Sequence, residues 1–170
     1  MLYGVLSDGA QEFAKPVMLR DRAGNFMHTG RYWDPEAKKH TSGQGPGDRA
    51  YSALPFDWDG DGDFDLIVGT NKGGLFLREN EGTAKKPMFA TAVKPIRAGP
   101  GNAVVPSGYA MPVAADWDGD GRVDLVSGSQ DGAVYWFRNV GKGVIELEPA
   151  KKLVAATKTA SMRSQVDVAD

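Results

Sequence analysis

One stretch of this chain occurs twice. Residues 57–82 read DWDGDGDFDLIVGTNKGGLFLRENEG and residues 116–141 read DWDGDGRVDLVSGSQDGAVYWFRNVG; they align without a gap at an offset of 59, with 12 of 26 positions identical. A duplication of this kind constrains the fold more than any local propensity. Each copy is one supersecondary unit that must bury its apolar face against a neighbouring copy.

The parts of each copy follow the same order. A lead-in (Tyr51–Phe56, Tyr109–Ala115) runs into an Asp-rich loop, and then into an apolar run (Phe64–Gly69, Val123–Gly128) that is too short for a helix and is stopped by glycine. A glycine turn follows at residues 71–74 or 130–132, then a second apolar run, Leu75–Leu77 or Val134–Phe137. A fourth segment is expected at Met88–Ile96 and from Val144–Leu147 onward. The expected fold class is therefore all-β, in four-stranded antiparallel units of about 60 residues.

By this reading residues 51–108 and 109–160 are whole units. Residues 1–50 hold a partial unit plus a long loop, because Leu2–Gly9 and Glu12–Ala14 resemble Leu75–Gly82 and Met88–Ala90. Residues 161–170 are expected to form the first strand of a further unit, since Arg163–Asp170 resembles Tyr109–Asp116. The chain is expected to be a piece of a longer protein.

The loops concentrate charge. Nine of the 22 carboxylates fall in the two windows Asp57–Asp65 and Asp116–Asp124; without them the formal net charge of −2 would be about +7. Acids at positions 1, 3, 5 and 9 (Asp57, Asp59, Asp61, Asp65; Asp116, Asp118, Asp120, Asp124) with glycine at position 6 suit a hard cation that takes six to eight oxygen ligands. Position 7 is Asp63 in one copy and Arg122 in the other; a main-chain carbonyl as the ligand there leaves the side chain free to vary. The spacing follows an EF-hand loop over its first ligand positions, but Val68 and Ser127 stand where that loop has a bidentate glutamate, and the residues that follow are strand-like. Asp-Gly pairs also make plain turns, yet so many converging carboxylates would repel one another without a countercharge. Two calcium sites are expected. Magnesium, which favours near-ideal octahedra and retained water, fits such a cage less well.

The string D-x-D-G-D-G-x-x-D-L-x-x-G at Asp57–Gly69 and Asp116–Gly128 resembles the calcium loop of FG-GAP/VCBS repeats, the blades of integrin-α-like β-propellers. The Asn80/Asn139 positions fit the same pattern. The resemblance implies an incomplete propeller in which the acids ligate calcium and the ion ties the first two strands of a blade together. Closed propellers need four to eight blades, so self-association through exposed blade faces is expected of an isolated chain.

Several function classes drop out. With no cysteine there are no disulfides, thiolate metal sites or cysteine nucleophiles. The near-neutral balance argues against a nucleic-acid partner, and no run of apolar residues approaches the roughly 20 that span a membrane. Neither a nucleophile motif nor a phosphate-cradling loop is present. Trp58 and Trp117 are expected to pack between blades. Gly24–Arg49 is longer than its counterpart Ala98–Ser107 and carries His28, Tyr32, Trp33 and His40, a candidate ligand-binding set suited to stacking on a sugar. The expected function is a non-catalytic, extracellular or cell-surface scaffold that binds polysaccharide or a protein surface. The alternative is the propeller part of a polysaccharide lyase or glycoside hydrolase.

Overall fold

A computed structural model gives the fold of residues 19–27, 31–42 and 48–156, together with residue 166. The described residues form strands, bridges and turns and contain no helix. Accordingly, no described helix is long and apolar enough to cross a membrane.

Two four-stranded antiparallel sheets carry the repeat. The first has β3 (Ala50–Phe56), β4 (Asp65–Thr70), β5 (Leu75–Arg78) and β6 (Lys94–Pro95) in that spatial order. The second has β9 (Met111–Ala115), β10 (Asp124–Gly128), β11 (Val134–Phe137) and β12 (Lys151–Val154), also in chain order. Two-stranded pieces accompany them, β1 (Arg31–Asp34) with β2 (Lys39–Ser42), and β7 (Arg97–Ala98) with β8 (Gly101–Asn102). The sheets close into no ring among the described residues, and the architecture is that of an incomplete β-propeller.

The central strand β4 is buried along its whole length, because it is covered on both faces. Alternation sends its side chains to two different cores. Ile67 joins Leu75, Leu77, Ile96, Val105, Leu125, Tyr135, Phe137 and Leu147 in the cluster between the two sheets. Leu66 and Val68 face the other way, with Phe89, Phe76, Leu19 and Met27. The N-terminal segment therefore supplies the second cover of the first sheet.

The innermost strands also touch across the repeat. Tyr51 and Tyr109 meet edge to face at 4.8 Å, and the Ser52 hydroxyl donates to the Ala110 carbonyl at 2.8 Å.

A further regularity reaches beyond the two copies. Asn80 bridges antiparallel to Phe89, which in turn bridges parallel to Asp21; Asn139 bridges antiparallel to Leu147, which bridges parallel to Ala98. The segment around Asp21 thus stands to the first sheet as the segment around Ala98 stands to the second.

The structure differs from the sequence reading in two places. The fourth strands are later and shorter than expected. Met88–Lys94 carries an isolated bridge at Phe89 before β6 begins, and β12 begins at Lys151, after Val144–Leu147. The reason is local: the Asn80 side-chain carbonyl accepts the Gly82 and Met88 N–H groups, and Asn139 does the same for Gly141 and Glu146. These amides are committed to a side chain, so the ladder resumes only downstream. The tightness of the turn also explains the shared glycine, since a Cβ on Gly141 would lie 1.8 Å from the Val144 carbonyl oxygen.

The second difference lies within Gly24–Arg49, which is not all loop. Residues 31–42 form the β1–β2 hairpin. Its turn is set by Asp34, whose Oδ1 accepts the N–H groups of Glu36 and Ala37 at 2.9 Å each. The N-terminal strands expected at Leu2–Gly9 and Glu12–Ala14, and the strand expected at 163–170 apart from Val166, lie outside the described residues.

Candidate metal centre

Each Asp loop joins the first strand of a sheet to the second, β3 to β4 and β9 to β10. The position-1 carboxylate folds the loop over itself. Asp57 accepts the N–H groups of Gly60 (2.9 Å) and Gly62 (3.1 Å); Asp116 accepts those of Asp120 (3.0 Å) and Gly121 (2.8 Å). The wrap requires positive φ at Gly62 (91°) and Gly121 (83°), a region that side chains with a Cβ rarely occupy. In this way Asp57, Asp59 and Asp61 come together with one carboxylate oxygen each inside a 4.8 Å set, and Asp116, Asp118 and Asp120 form the equivalent set.

Position 9 also anchors the loop. Asp65 is 2% exposed, and both its oxygens are engaged: Oδ2 accepts the Trp58 N–H at 3.1 Å and Oδ1 the Asn80 N–H at 2.7 Å. Asp124 repeats the pattern with Trp117 (3.1 Å) and Asn139 (2.7 Å). These acids lock the start of the loop to the residue that follows the third strand. Burial raises the Asp65 pKa, opposed by the two amides and reinforced by Asp59 and Asp63.

Position 7 separates the copies. Asp63 is 6% exposed and its Oδ1 is buried without a hydrogen-bond partner. Its pKa is raised by desolvation and by the neighbouring charges of Asp61, Asp59 and Asp57, with the Asn80 side chain opposing. Arg122, by contrast, does not extend freely from its loop. Its Nε donates to the Asn139 carbonyl at 2.9 Å and its Nη2 pairs with Asp120. Arg138 adds a second cation, with Nε to Asp118 Oδ2 at 2.6 Å and Nη2 to Asp120 Oδ2 at 3.1 Å. Burial would raise the Asp120 pKa, but the Arg122 amide and the two guanidinium charges outweigh it and the pKa is lowered. The sequence reading did not include Arg138, although the 59-residue offset places it opposite Glu79 and marks an acid-to-base exchange.

The donor set suits a hard divalent cation. It is all oxygen, anionic and arranged in a wrapped loop, and in the first copy a buried carboxylate oxygen is left without a proton donor. Asp57, Asp59 and Asp61, with Asp63 beside them, are the residues that would hold it there; Asp116, Asp118 and Asp120 are those of the second loop.

The family model of the FG-GAP-like repeat matches residues 57–126 and again residues 116–170. The chain belongs to this family. The matches start on the position-1 aspartates, Asp57 and Asp116, so the FG-GAP-like repeat and the duplicated loop coincide. Neither the curated proteins nor the solved structures give a match to this chain.

The loops of the two FG-GAP-like repeats border a common cleft of about 490 Å³, walled by Asp57, Trp58 and Glu79 on one side and Arg122, Asn139 and Ile145 on the other. Trp58 packs against the core between the sheets, whereas Trp117, at the same position of the second FG-GAP-like repeat, is 46% exposed.

Of the candidate ligand-binding set, Trp33 and His40 are cross-strand partners on the hairpin, with ring centroids 5.3 Å apart and the Trp33 ring 54% exposed. Tyr32 is described only in its backbone, paired with Thr41, and His28 lies outside the described residues.

Proposed function

We propose that this chain is a calcium-braced β-propeller segment that serves as a non-catalytic binding or adhesion scaffold outside the cell. The observation that carries the reading is the convergence of three carboxylates at the same positions in both loops. Bound there, calcium would supply charge neutralisation and a rigid link between the first two strands of each blade. The protein's own residues do the rest. Asp57 and Asp116 wrap the loops, Asp65 and Asp124 anchor them to the third strands, and the cluster between the sheets holds the two blades face to face.

Beside blades spanning 51–108 and 109–160, the β1–β2 hairpin is the ligand-binding element. The exposed Trp33 ring, held by a hairpin instead of a loose loop, favours polysaccharide as the ligand, with a protein surface as the other candidate. Blade faces that carry exposed Trp117, Phe64 and Val144 support self-association.

Thermal melts with calcium and with EDTA test the reading. Calcium at 100 times its dissociation constant adds about 2.7 kcal/mol to the native state, and Asp59→Ala removes part of that gain. An identical melt in calcium and EDTA, with no heat of binding, overturns it. A polysaccharide panel tests the scaffold role: retention without cleavage is expected, and bond cleavage would move the protein to the enzyme class.

A further inference from the structure

We infer that the two Asp loops are unequal in their demand for an ion: the first depends on a bound cation, whereas the second carries its own cations in Arg122 and Arg138 and binds calcium weakly. The inference rests on the calcium reading above and goes on to rank the two sites.

Three aligned positions reverse charge between the copies, and two of them bear on the loops; the third, Lys72 against Asp131, lies in the glycine turn. Where the first copy has Asp63 and Glu79, the second has Arg122 and Arg138. Both substitutions fall on the same feature. The two guanidiniums converge on the Asp118 and Asp120 carboxylates, the third and fifth positions of the loop, and Arg122 is fixed further by the Asn139 carbonyl. Charge-assisted pairs of this kind occupy the oxygens and the positive potential that an incoming cation would need. An ion entering the second loop has to displace two guanidiniums or share carboxylates with them.

Among the described residues, nothing comparable neutralises the first loop. Glu79 turns away to Lys94, with Lys94 Nζ at 2.6 Å from each of its oxygens. None of the described ion pairs involves Asp57, Asp59, Asp61 or Asp63. Asp63, itself almost fully buried, keeps one oxygen without any hydrogen-bond donor. A desolvated acceptor beside three more carboxylates is costly unless a cation completes it. The second loop has solved the same problem with covalently attached charge.

Calcium titration by isothermal calorimetry on the full chain decides the ranking. Wild type is expected to bind one calcium tightly and a second on the order of tenfold or more weakly, as expected when two cationic groups compete at contact distance. Asp59→Ala is expected to abolish the tight event and Asp118→Ala to leave it unchanged. Arg122→Gln with Arg138→Gln is expected to tighten the weak event by about tenfold. Two events of equal affinity overturn the inference, as does loss of the tight event in Asp118→Ala, or an arginine variant of unchanged affinity. The wild-type and aspartate titrations fix the ranking even if the arginine variant does not fold. Absence of any calcium binding in wild type would instead remove the reading beneath the inference, a result distinct from equal sites.

Discussion

The Asp65 carboxylate accepts the Asn80 backbone N–H across 15 residues, at 2.7 Å, and so joins the foot of the second strand of the sheet to the end of the third. Its other oxygen takes the Trp58 N–H, so one side chain pins three points of the blade. Asp65→Ala would leave both amides without their acceptor in a site that excludes water, at a cost of about 2–3 kcal/mol. Urea denaturation in EDTA is the measurement, since the expected loss does not depend on an ion. Asp124→Ala should cost the second blade a similar amount.

Asp63 gives a pH signature that depends on the ion. Its folded-state pKa is raised above 3.8 by burial and by Asp61, Asp59 and Asp57. A group raised in this way contributes stability below its unfolded pKa and loses that contribution as pH rises through the folded value. In EDTA, Asp63→Asn is therefore expected to melt a few degrees above wild type at pH 7, with the gap closing as pH falls toward 4. Saturating calcium should reverse the order. Differential scanning fluorimetry across pH, with and without calcium, checks both.

Asp131 behaves in the opposite sense. The Ser107 and Ser129 hydroxyls donate to it at 2.6 Å each, and its pKa is lowered from 3.8 to about 2. A depressed pKa gives stability that is present above 3.8 and is lost as pH falls through 2. Asp131→Ala is expected to cost about 1–2 kcal/mol at neutral pH, and the difference from wild type should fade toward pH 2 in denaturant titrations. Because Ser107 precedes the second sheet, this carboxylate also fastens the connection between the blades.

The exposed Trp117 makes a prediction about assembly. Its counterpart Trp58 packs against the core between the sheets, so the second blade offers the ring that a further blade would cover. Light scattering is expected to show concentration-dependent self-association, which Trp117→Ser should weaken while leaving the melting temperature within about 2 °C of wild type.

The sequence makes the loops and the second and third strands of each unit legible, because a gapless repeat and short apolar runs leave few alternatives. It says less about which carboxylate oxygens are free. Asp59 and Asp65 both stand at alternate positions of one loop, yet Asp59 is an exposed member of the acidic trio while Asp65 is buried and also ties the loop to the third strand. That distinction depends on Asn80, 15 residues away, and spacing alone does not reveal it. The β1–β2 hairpin is poorly marked in the sequence because no glycine sits in its turn; the Asp34-Pro35 pair is its one local signal. Arg138 is hidden for a similar reason. Only the fold brings its guanidinium onto the Asp118 and Asp120 carboxylates, 20 and 18 residues away in sequence.

The parallel bridge between Ala98 and Leu147 has a practical consequence for anyone dissecting this chain. A blade excised at 109 would leave behind the backbone segment that seals its outer edge, because that segment is encoded with its predecessor. The module that is copied in the gene and the module that holds itself together are out of phase. Grafts or truncations guided by the repeat alone will therefore cut through a seam, whereas cuts made upstream of Arg97 carry the seal along.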